Sequence, residues 1–475
     1  MATLYYTPSA EIDEIYARLQ KTFKEGKTRP IAYRRQQLLQ LARMMQDNRT
    51  AIEEAELADL GKPRQETTIA EVSAVLGSAL RAAESLVEWT TPDKPKVEEW
   101  RSSWDTTIFK VPKGVSLIIS PWNYPFIITF NPLVGAIAAG CPVVLKPSEA
   151  VPACSALMKS LVEKYLDPEA YAVVNGAVKE TTDLLSRPWG HMFFTGGGKI
   201  GRIIAGAAAK TLTPVTLELG GKSPVVIDEG CDLELAAKRT LFGKSQNSGQ
   251  LCVSPDHVYV PRSLAPAFKE AVKKVYASFF PDTALHPSAQ WGNIVNPLHH
   301  SRVKGLLDRT KGEILVGGGV DANKRIALTV VAGVKPDDSL MEEEIFGPLL
   351  PVIEVENLDE TIRLIGERPH PLVLYAFTNN EETRQRLVNE TNSGGLIFND
   401  TTIHLSIHEM PFGGLGESGY GAYHGKDSFD SFTHRRSSIN VPAAAEGIFA
   451  ARYRPYSDEK YAIMSAGAHV KIPES

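Results

Sequence analysis

The sequence predicts an α/β protein built on doubly wound parallel sheet, and three features carry that expectation. The first ninety residues repeat apolar side chains at helical spacing. Two later regions alternate short Val/Ile/Leu/Phe runs with helix-length segments. Finally, 475 residues are too many for one ordinary core, so two or three domains are expected.

In SAEIDEIYARLQKTF, residues Ile12, Ile15, Tyr16, Leu19 and Phe23 fall on one helical face behind Ser9, which is placed to cap. AIEEAELADL and IAEVSAVLGSALRAAESLVEW continue the pattern until it breaks at TTPDKPKVEEW. Beyond the break, GVSLIIS, PVVLK, AYAVVNG and HMFFTGG read as strands separated by helices such as AVPACSALMKSLVEKYL and KETTDLLS. Sheets of this kind bind ligands beyond the carboxyl ends of their strands. A second alternating region runs from SPVVIDEG through HVYVP, GEILVGGG and LPVIEVE to GGLIFND. No internal repeat or low-complexity linker marks a boundary.

Bulk properties exclude several classes. A net charge of -5 offers no basic excess to hold a nucleic-acid backbone or an anionic membrane face, so no nucleic-acid partner is expected. The start, MATLYYTPSAEIDEIYARLQ, lacks the basic-then-apolar order of a secretory signal. The longest apolar-leaning run, NPLVGAIAAGCPVVL, stops at Lys146, short of the roughly 20 residues a spanning helix needs. The four cysteines, Cys141, Cys154, Cys231 and Cys252, are irregularly spaced, which argues against a disulfide framework or a zinc cluster and fits a reducing, cytoplasmic setting.

Against that background KSQNSGQLCVSPD stands out, because Cys252 lies in a polar, Gly-bounded bend rather than an apolar run; taken alone it is equally a passive surface thiol, but an ordered thiol in such a bend is where nucleophiles are usually kept. TGGGKIGRIIAGAAAK contains G-x-G-x-x-G at Gly196, Gly198 and Gly201 between a strand and a helix, a place for a pyrophosphate. By itself that pattern is equally an unliganded turn. VVLKPSEAVP places Lys146 and Glu149 at a strand's carboxyl end, within reach of ribose hydroxyls or simply in a polar loop. In TPVTLELGGKSP, Glu218 is flanked by leucines, which raises a carboxyl pKa and suits a general base; the alternative is a strand-end carboxylate satisfied by backbone N–H groups. His404 and His408 have metal-ligand spacing if helical, but no third ligand is in evidence, so no metal site is expected. LHHSRVK reads as a helix start.

Taken together, PWNYP (121–125), KPSE (146–149), FTGG (194–197), LELGGKSP (217–224), GQLC (249–252), EEIFGP (343–348) and MPFGGLGESGYGAYHGK (410–426) resemble the aldehyde dehydrogenase superfamily, in that family's order and over nearly the whole chain. YHGK and RYRPYS are most similar to the class 3 and fatty aldehyde dehydrogenase branch. The resemblance implies a Rossmann-like NAD(P)-binding domain over 1–95 and 116–218 and a catalytic α/β domain over 219–405. A small bridging and oligomerisation arm with the C-terminal tail would take 96–115 and 406–475. It also implies that Cys252 is the nucleophile, Glu218 the general base and Asn123 the oxyanion donor. Lys146 and Glu149 would hold the adenosine ribose and Glu344 the nicotinamide ribose, with Phe346 packed by the nicotinamide. Ser120, Trp122, Gly196, Gly201 and Leu219 would complete the cofactor site, and Lys222 and Tyr423 would support the active site.

The expected reaction is oxidation of a hydrophobic aldehyde, long-chain aliphatic, aromatic or terpenoid, to the acid through a Cys252 thioester. NAD is the expected cofactor, because Glu149 would repel a 2'-phosphate; the branch also uses NADP. A homodimer is expected. Membrane-bound relatives end in a hydrophobic tail, which AHVKIPES does not supply. Glu218, Lys222 and Cys252 also match the Glu-Lys-Cys set of nitrilase-type hydrolases, but a cofactor-free hydrolase would leave Lys146, Glu149 and Glu344 without a role. A catalytically idle binding relative would have lost one of these residues, and a coenzyme A-acylating relative would lack Glu218.

Overall fold

The computed structural model describes residues 4–468 and 470–474, and its contacts divide the chain into two units. The larger takes the described residues up to Trp89 together with Pro112–Thr433. The smaller takes Thr90–Val111 and the described residues from His434 onward.

Helices Ser9–Glu25, Ile31–Asp47, Arg49–Leu60 and Ala74–Thr90 form where the apolar spacing predicts them, each burying its apolar stripe. Ser9 does not cap the first. Pro8 holds the cap position at φ -63°, and its carbonyl accepts from the Ile12 N–H, so Ser9 is already helical. Before Ala74 the chain makes a π-helical turn, Thr68–Ser73, which the sequence pattern does not show.

Among the described residues fifteen strands follow: β1 (Thr107–Pro112), β2 (Ser116–Ile119), β3 (Val143–Lys146), β4 (Tyr171–Val173), β5 (His191–Gly196), β6 (Val215–Leu219), β7 (Pro224–Ile227), β8 (His257–Pro261), β9 (Glu313–Val316), β10 (Thr329–Ala332), β11 (Leu349–Val355), β12 (Val373–Phe377), β13 (Gly395–Phe398), β14 (Gly419–Tyr420) and β15 (Thr433–Ser438). The first sheet has the order β14-β6-β5-β2-β3-β4 and is parallel apart from β14. From β2 the chain winds outward through β3 and β4, then returns to β5 and β6 on the other side. That reversal opens a crevice at the carboxyl ends of β2 and β5. The second sheet has the order β13-β12-β7-β8-β11-β10-β9, parallel except for β9 at the edge. Both are the doubly wound sheets expected, with the central strands buried on both faces as their unbroken apolar runs require and the edge strands β9, β13 and β14 partly exposed.

In the smaller unit β1 pairs with β15 as a two-stranded ribbon. The span 406–433, assigned to the arm on sequence grounds, lies in the larger unit by contacts. There β14 pairs with β6, helix Gly425–Ser431 packs on helix Pro125–Ala139, and Phe429 and Phe432 are fully buried. No helix among the described residues is long and apolar enough to cross a membrane.

Candidate active site

Four loops at strand carboxyl ends converge: Ser120–Tyr124 after β2, Lys146–Glu149 at β3, the Gly-rich turn after β5 and Glu218–Gly221 at β6. All but Lys146–Glu149 contribute to the wall of a cavity of about 400 Å3, which includes Trp122, Asn123, Gly196, Glu218 and Leu219, and, from the second sheet's side, Cys252, Glu344 and Phe346. Residues 34 apart in sequence, Glu218 and Cys252, thus face the same space.

Cys252 is presented by an unusual backbone. Asn247 (φ 48°), Ser248 (φ 53°) and Gly249 (φ 73°) are successively left-handed, a conformation that costs the two non-glycine residues on the order of 1 kcal/mol each. Buried hydrogen bonds hold it. The Asn247 N–H donates to Glu66 Oε2 (2.7 Å), Ser248 Oγ to the Gly292 carbonyl (3.0 Å), and Gln250 Nε2 to the Asn247 and Asn293 carbonyls (3.0 Å each), while Gln250 Oε1 accepts from the Val295 N–H (3.0 Å). The thiol is half-buried, and desolvation, followed by the Glu344 and Glu218 carboxylates, pushes its pKa up to about 12. It rests protonated.

Glu218 is 2% exposed, and neither carboxylate oxygen has a hydrogen-bond partner. Burial alone drives its pKa well above the ordinary carboxylate range. A carboxylate left unsatisfied at a cavity wall has free lone pairs for a water. Asn123 is buried, and its Nδ2 donates to the Gln250 carbonyl (3.1 Å), which leaves one amide hydrogen for another acceptor.

The other wall suits a flat, anionic ligand. Trp122 meets Phe346 edge-to-face at 5.4 Å and His299 at 5.3 Å. Helix Gly198–Thr211 begins without a side-chain cap beside Gly196 and Gly197, so its N–H groups can meet a phosphate. Gly201 serves packing, since a Cβ there would stand 2.8 Å from Leu219 Cδ2. Thr195 Oγ1 is buried at the wall without a partner. Lys146 Nζ donates to Glu149 Oε2 (3.1 Å) and the Pro147 carbonyl (3.0 Å), with burial lowering its pKa. Ser120 shares a hydrogen with Thr129 Oγ1 at 2.6 Å. Aromatic wall, uncapped helix start and strand-end ammonium together fit a dinucleotide. Glu344 lies against Gly220, where any side chain would collide with its carboxyl group; burial and then Asp256 raise its pKa to about 8.

Ser120, Lys146, Glu149, Gly201, Lys222 and Tyr423 are not among the residues that line the cavity. Lys222 is a strap: Nζ donates to Asp256 Oδ1 (2.6 Å) and to the Leu340 (2.9 Å) and Glu343 (2.8 Å) carbonyls, while Asp256 Oδ2 accepts from the Ile345 N–H (2.9 Å). This fixes the segment bearing Glu344 and Phe346. Tyr423 packs edge-to-face with Phe193, Phe412 and His424, and its pKa is raised by burial and then by Glu218 and Cys252.

Sequence reasoning missed His299 and Arg302. Both line the cavity from helix Pro297–Arg309, which Asn296 caps at the His299 N–H (2.9 Å), and Arg302 donates to the Ile345 carbonyl (2.7 Å). LHHSRVK is the helix start expected, yet its first turn also faces the site. It missed Lys62, Glu66 and Asn247 as well, whose only sequence signal is a Lys after the helix-ending Gly61. His404 sits in a short turn, Ile403–Ser406, with its ring on Phe412, and among the described residues no cluster could hold a metal ion.

The family profile described as "Aldehyde dehydrogenase family" matches residues 1–438. Aldehyde dehydrogenase family 3 member H1 of Arabidopsis thaliana is 43% identical over 462 residues, 96% of this chain and 95% of that protein. The dimeric NADP-preferring aldehyde dehydrogenase of Rattus norvegicus is 42% identical over 447 residues, 94% of this chain and 98% of that one. The structure of Staphylococcus aureus AldH in a substrate-bound state superposes with a TM-score of 0.93 at 37% identity, over 96% of this chain and 99% of that one.

Proposed function

Because this chain belongs to the aldehyde dehydrogenase family, which oxidises aldehydes with NAD(P), we propose that it converts hydrophobic aldehydes to carboxylic acids through a thioester on Cys252, with Glu218 as general base. The observation that carries this reading is the unpartnered, buried Glu218 carboxylate on the same cavity wall as the thiol.

Cys252, once deprotonated, attacks the aldehyde carbon; a C–S bond forms and the carbonyl electrons move to oxygen. The resulting oxyanion meets the spare Asn123 amide hydrogen and the Cys252 backbone N–H, and one such donor contributes about 3 kcal/mol. NAD(P), when bound, supplies the hydride acceptor that turns the thiohemiacetal into a thioester. Glu218 then takes a proton from a water whose oxygen attacks the thioester carbon, the C–S bond breaks, and the acid leaves. Lys146 and Glu149 would hold the adenosine ribose and Glu344 the nicotinamide ribose, with Trp122 and Phe346 beside the nicotinamide. Ser120, Gly196, Gly201 and Leu219 shape the frame. NAD is preferred, because Glu149 disfavours a 2'-phosphate, and NADP is also used.

The test is absorbance at the reduced-nicotinamide band for wild type and Cys252→Ala, with NAD and with NADP, across aliphatic aldehydes of rising chain length. Thiol-dependent signal that strengthens with chain length supports the reading. Signal best on short, polar aldehydes would reject the substrate class, and equal signal from Cys252→Ala would reject the mechanism.

A further inference from the structure

Behind the cavity lies a charged cluster with no part in the chemistry just described. Lys62, Glu56 and Glu71 are all 0% exposed. Lys62 Nζ is 3.0 Å from both Glu56 Oε2 and Glu71 Oε1, donates to the Asn123 backbone carbonyl at 3.1 Å, and lies 4.0 Å over the Tyr124 ring. Burial alone would lower the Lys62 pKa, but the two carboxylates override it and keep the ammonium charged. Glu71 Oε2 accepts the Phe126 (2.9 Å) and Ile127 (2.7 Å) N–H groups, the first turn of helix Pro125–Ala139, which has no side-chain cap of its own. Glu56 Oε2 also accepts from Thr67 Oγ1 at 2.7 Å.

Such a cluster is poor material for stability, since a buried ion set is commonly no better than well-packed apolar residues. Its geometry is specific, however. The Asn123 carbonyl that accepts the hydrogen bond from Lys62 Nζ also accepts one from Asn247 Nδ2 at 2.8 Å. Asn247 begins the left-handed run that presents Cys252, and the carbonyl of Gln250, the residue that ends that run, accepts from the Asn123 side chain. Glu71 reaches this point from the π-helical turn, a distortion that aims a side chain a regular helix would turn elsewhere. The peptide before Tyr124 is therefore pinned from the N-terminal helices on one side and from the nucleophile's loop on the other.

Building on the thioester mechanism above, we infer that Lys62 is a positioning residue: its buried ammonium, held by Glu56 and Glu71, fixes the Asn123 peptide and so aims the Asn123 amide at the oxyanion formed on Cys252. A misaimed donor of this kind lowers kcat by about 100-fold while leaving ground-state binding intact.

The test is a double-mutant cycle on the full-length protein with hexanal and NAD. Lys62→Met is expected to lower kcat by roughly 30- to 100-fold with the KM for NAD unchanged, and Asn123→Ala by about 100- to 1000-fold. Adding Lys62→Met to Asn123→Ala should then cost less than about twofold more, because the donor it aims is gone. Alkylation of Cys252 by iodoacetamide, which needs no oxyanion donor, should proceed at the wild-type rate in Lys62→Met and so report an intact thiol site. Multiplying losses in the double variant, or a Lys62→Met kcat within about twofold of wild type, would overturn the inference. If Lys62→Met does not fold, Glu71→Gln enters the same cycle under the same criteria. Oxidation by wild type and its loss in Cys252→Ala report on the underlying mechanism separately, so failure of that reading is not confused with failure of this one.

Discussion

At the scale of single residues, the resting site is electrostatically set against the thiol proposed as its nucleophile. Desolvation and two carboxylates hold the Cys252 thiol near 12, and the larger charge contribution is that of Glu344, whose own pKa is raised to about 8. At pH 9 Glu344 is ionised, so Glu344→Gln removes a repelling charge, and iodoacetamide should alkylate Cys252 faster than in wild type at that pH. An equal or slower rate would show that Glu344 does not face the sulfur. The same residue has a consequence for stability. Its folded pKa of about 8 exceeds the ordinary 4.5, so the stability it lends as a neutral acid is full below the ordinary value and is lost as pH climbs to about 8. Glu344→Gln should accordingly melt above wild type at pH 8.5 and near it at pH 5 in a calorimetric scan. In the proposed mechanism Glu218 has the opposite duty, since a general base must be ionised to work. With its pKa raised by burial, thioester hydrolysis should rise with pH through a value above the ordinary carboxylate range. Glu218→Gln should give one burst of reduced cofactor per site and then stall; unimpaired steady turnover would assign the base elsewhere.

At the scale of elements, the strap that holds the Glu344–Phe346 segment makes a distinct prediction. Lys222 ties Asp256 to the Leu340 and Glu343 carbonyls, so Lys222→Met should loosen the cofactor wall and raise the KM for NAD roughly tenfold, about one charge-assisted hydrogen bond, with a smaller effect on kcat. A loss confined to kcat would place Lys222 at the reacting atoms instead. This is also the scale at which sequence legibility divides. Strand-end loops were readable because each motif is local: PWNYP, KPSE, FTGG and LELGGK follow strands whose apolar runs announce them, and parallel winding must gather their carboxyl ends. Cys252 was readable from its polar, Gly-bounded bend. What could not be read were partnerships spanning long sequence distances, such as Lys62 with Asn123 or Glu66 with Asn247, because no periodicity encodes them. The direction of Lys222, away from the cavity, was hidden for the same reason, and so was the π-helical turn that aims Glu71.

At the scale of the whole molecule, the smaller unit raises the question of what covers it. Among its described residues Ala445 is the one buried hydrophobic, whereas Ile439, Val441, Ile448, Tyr461, Ile463 and Met464 are all exposed in the single chain. A segment of two-stranded ribbon and short helices cannot assemble a core from so few inward side chains, and two paired strands alone are marginal in water. Apolar side chains left exposed in such number are what an interface would bury. The simplest occupant is a second copy of the same chain, because a two-fold interface lets one unit supply both halves of the missing cover. Light scattering should therefore give a particle of two 51.9 kDa chains, and a chain ending at Ser438, which keeps β15 but removes those six side chains, should scatter as one. A full-length monomer would show that the exposed residues serve some other contact. A shortened chain that stays dimeric would move the interface to the ribbon itself, where Phe109 and Trp100 are the exposed apolar groups that remain.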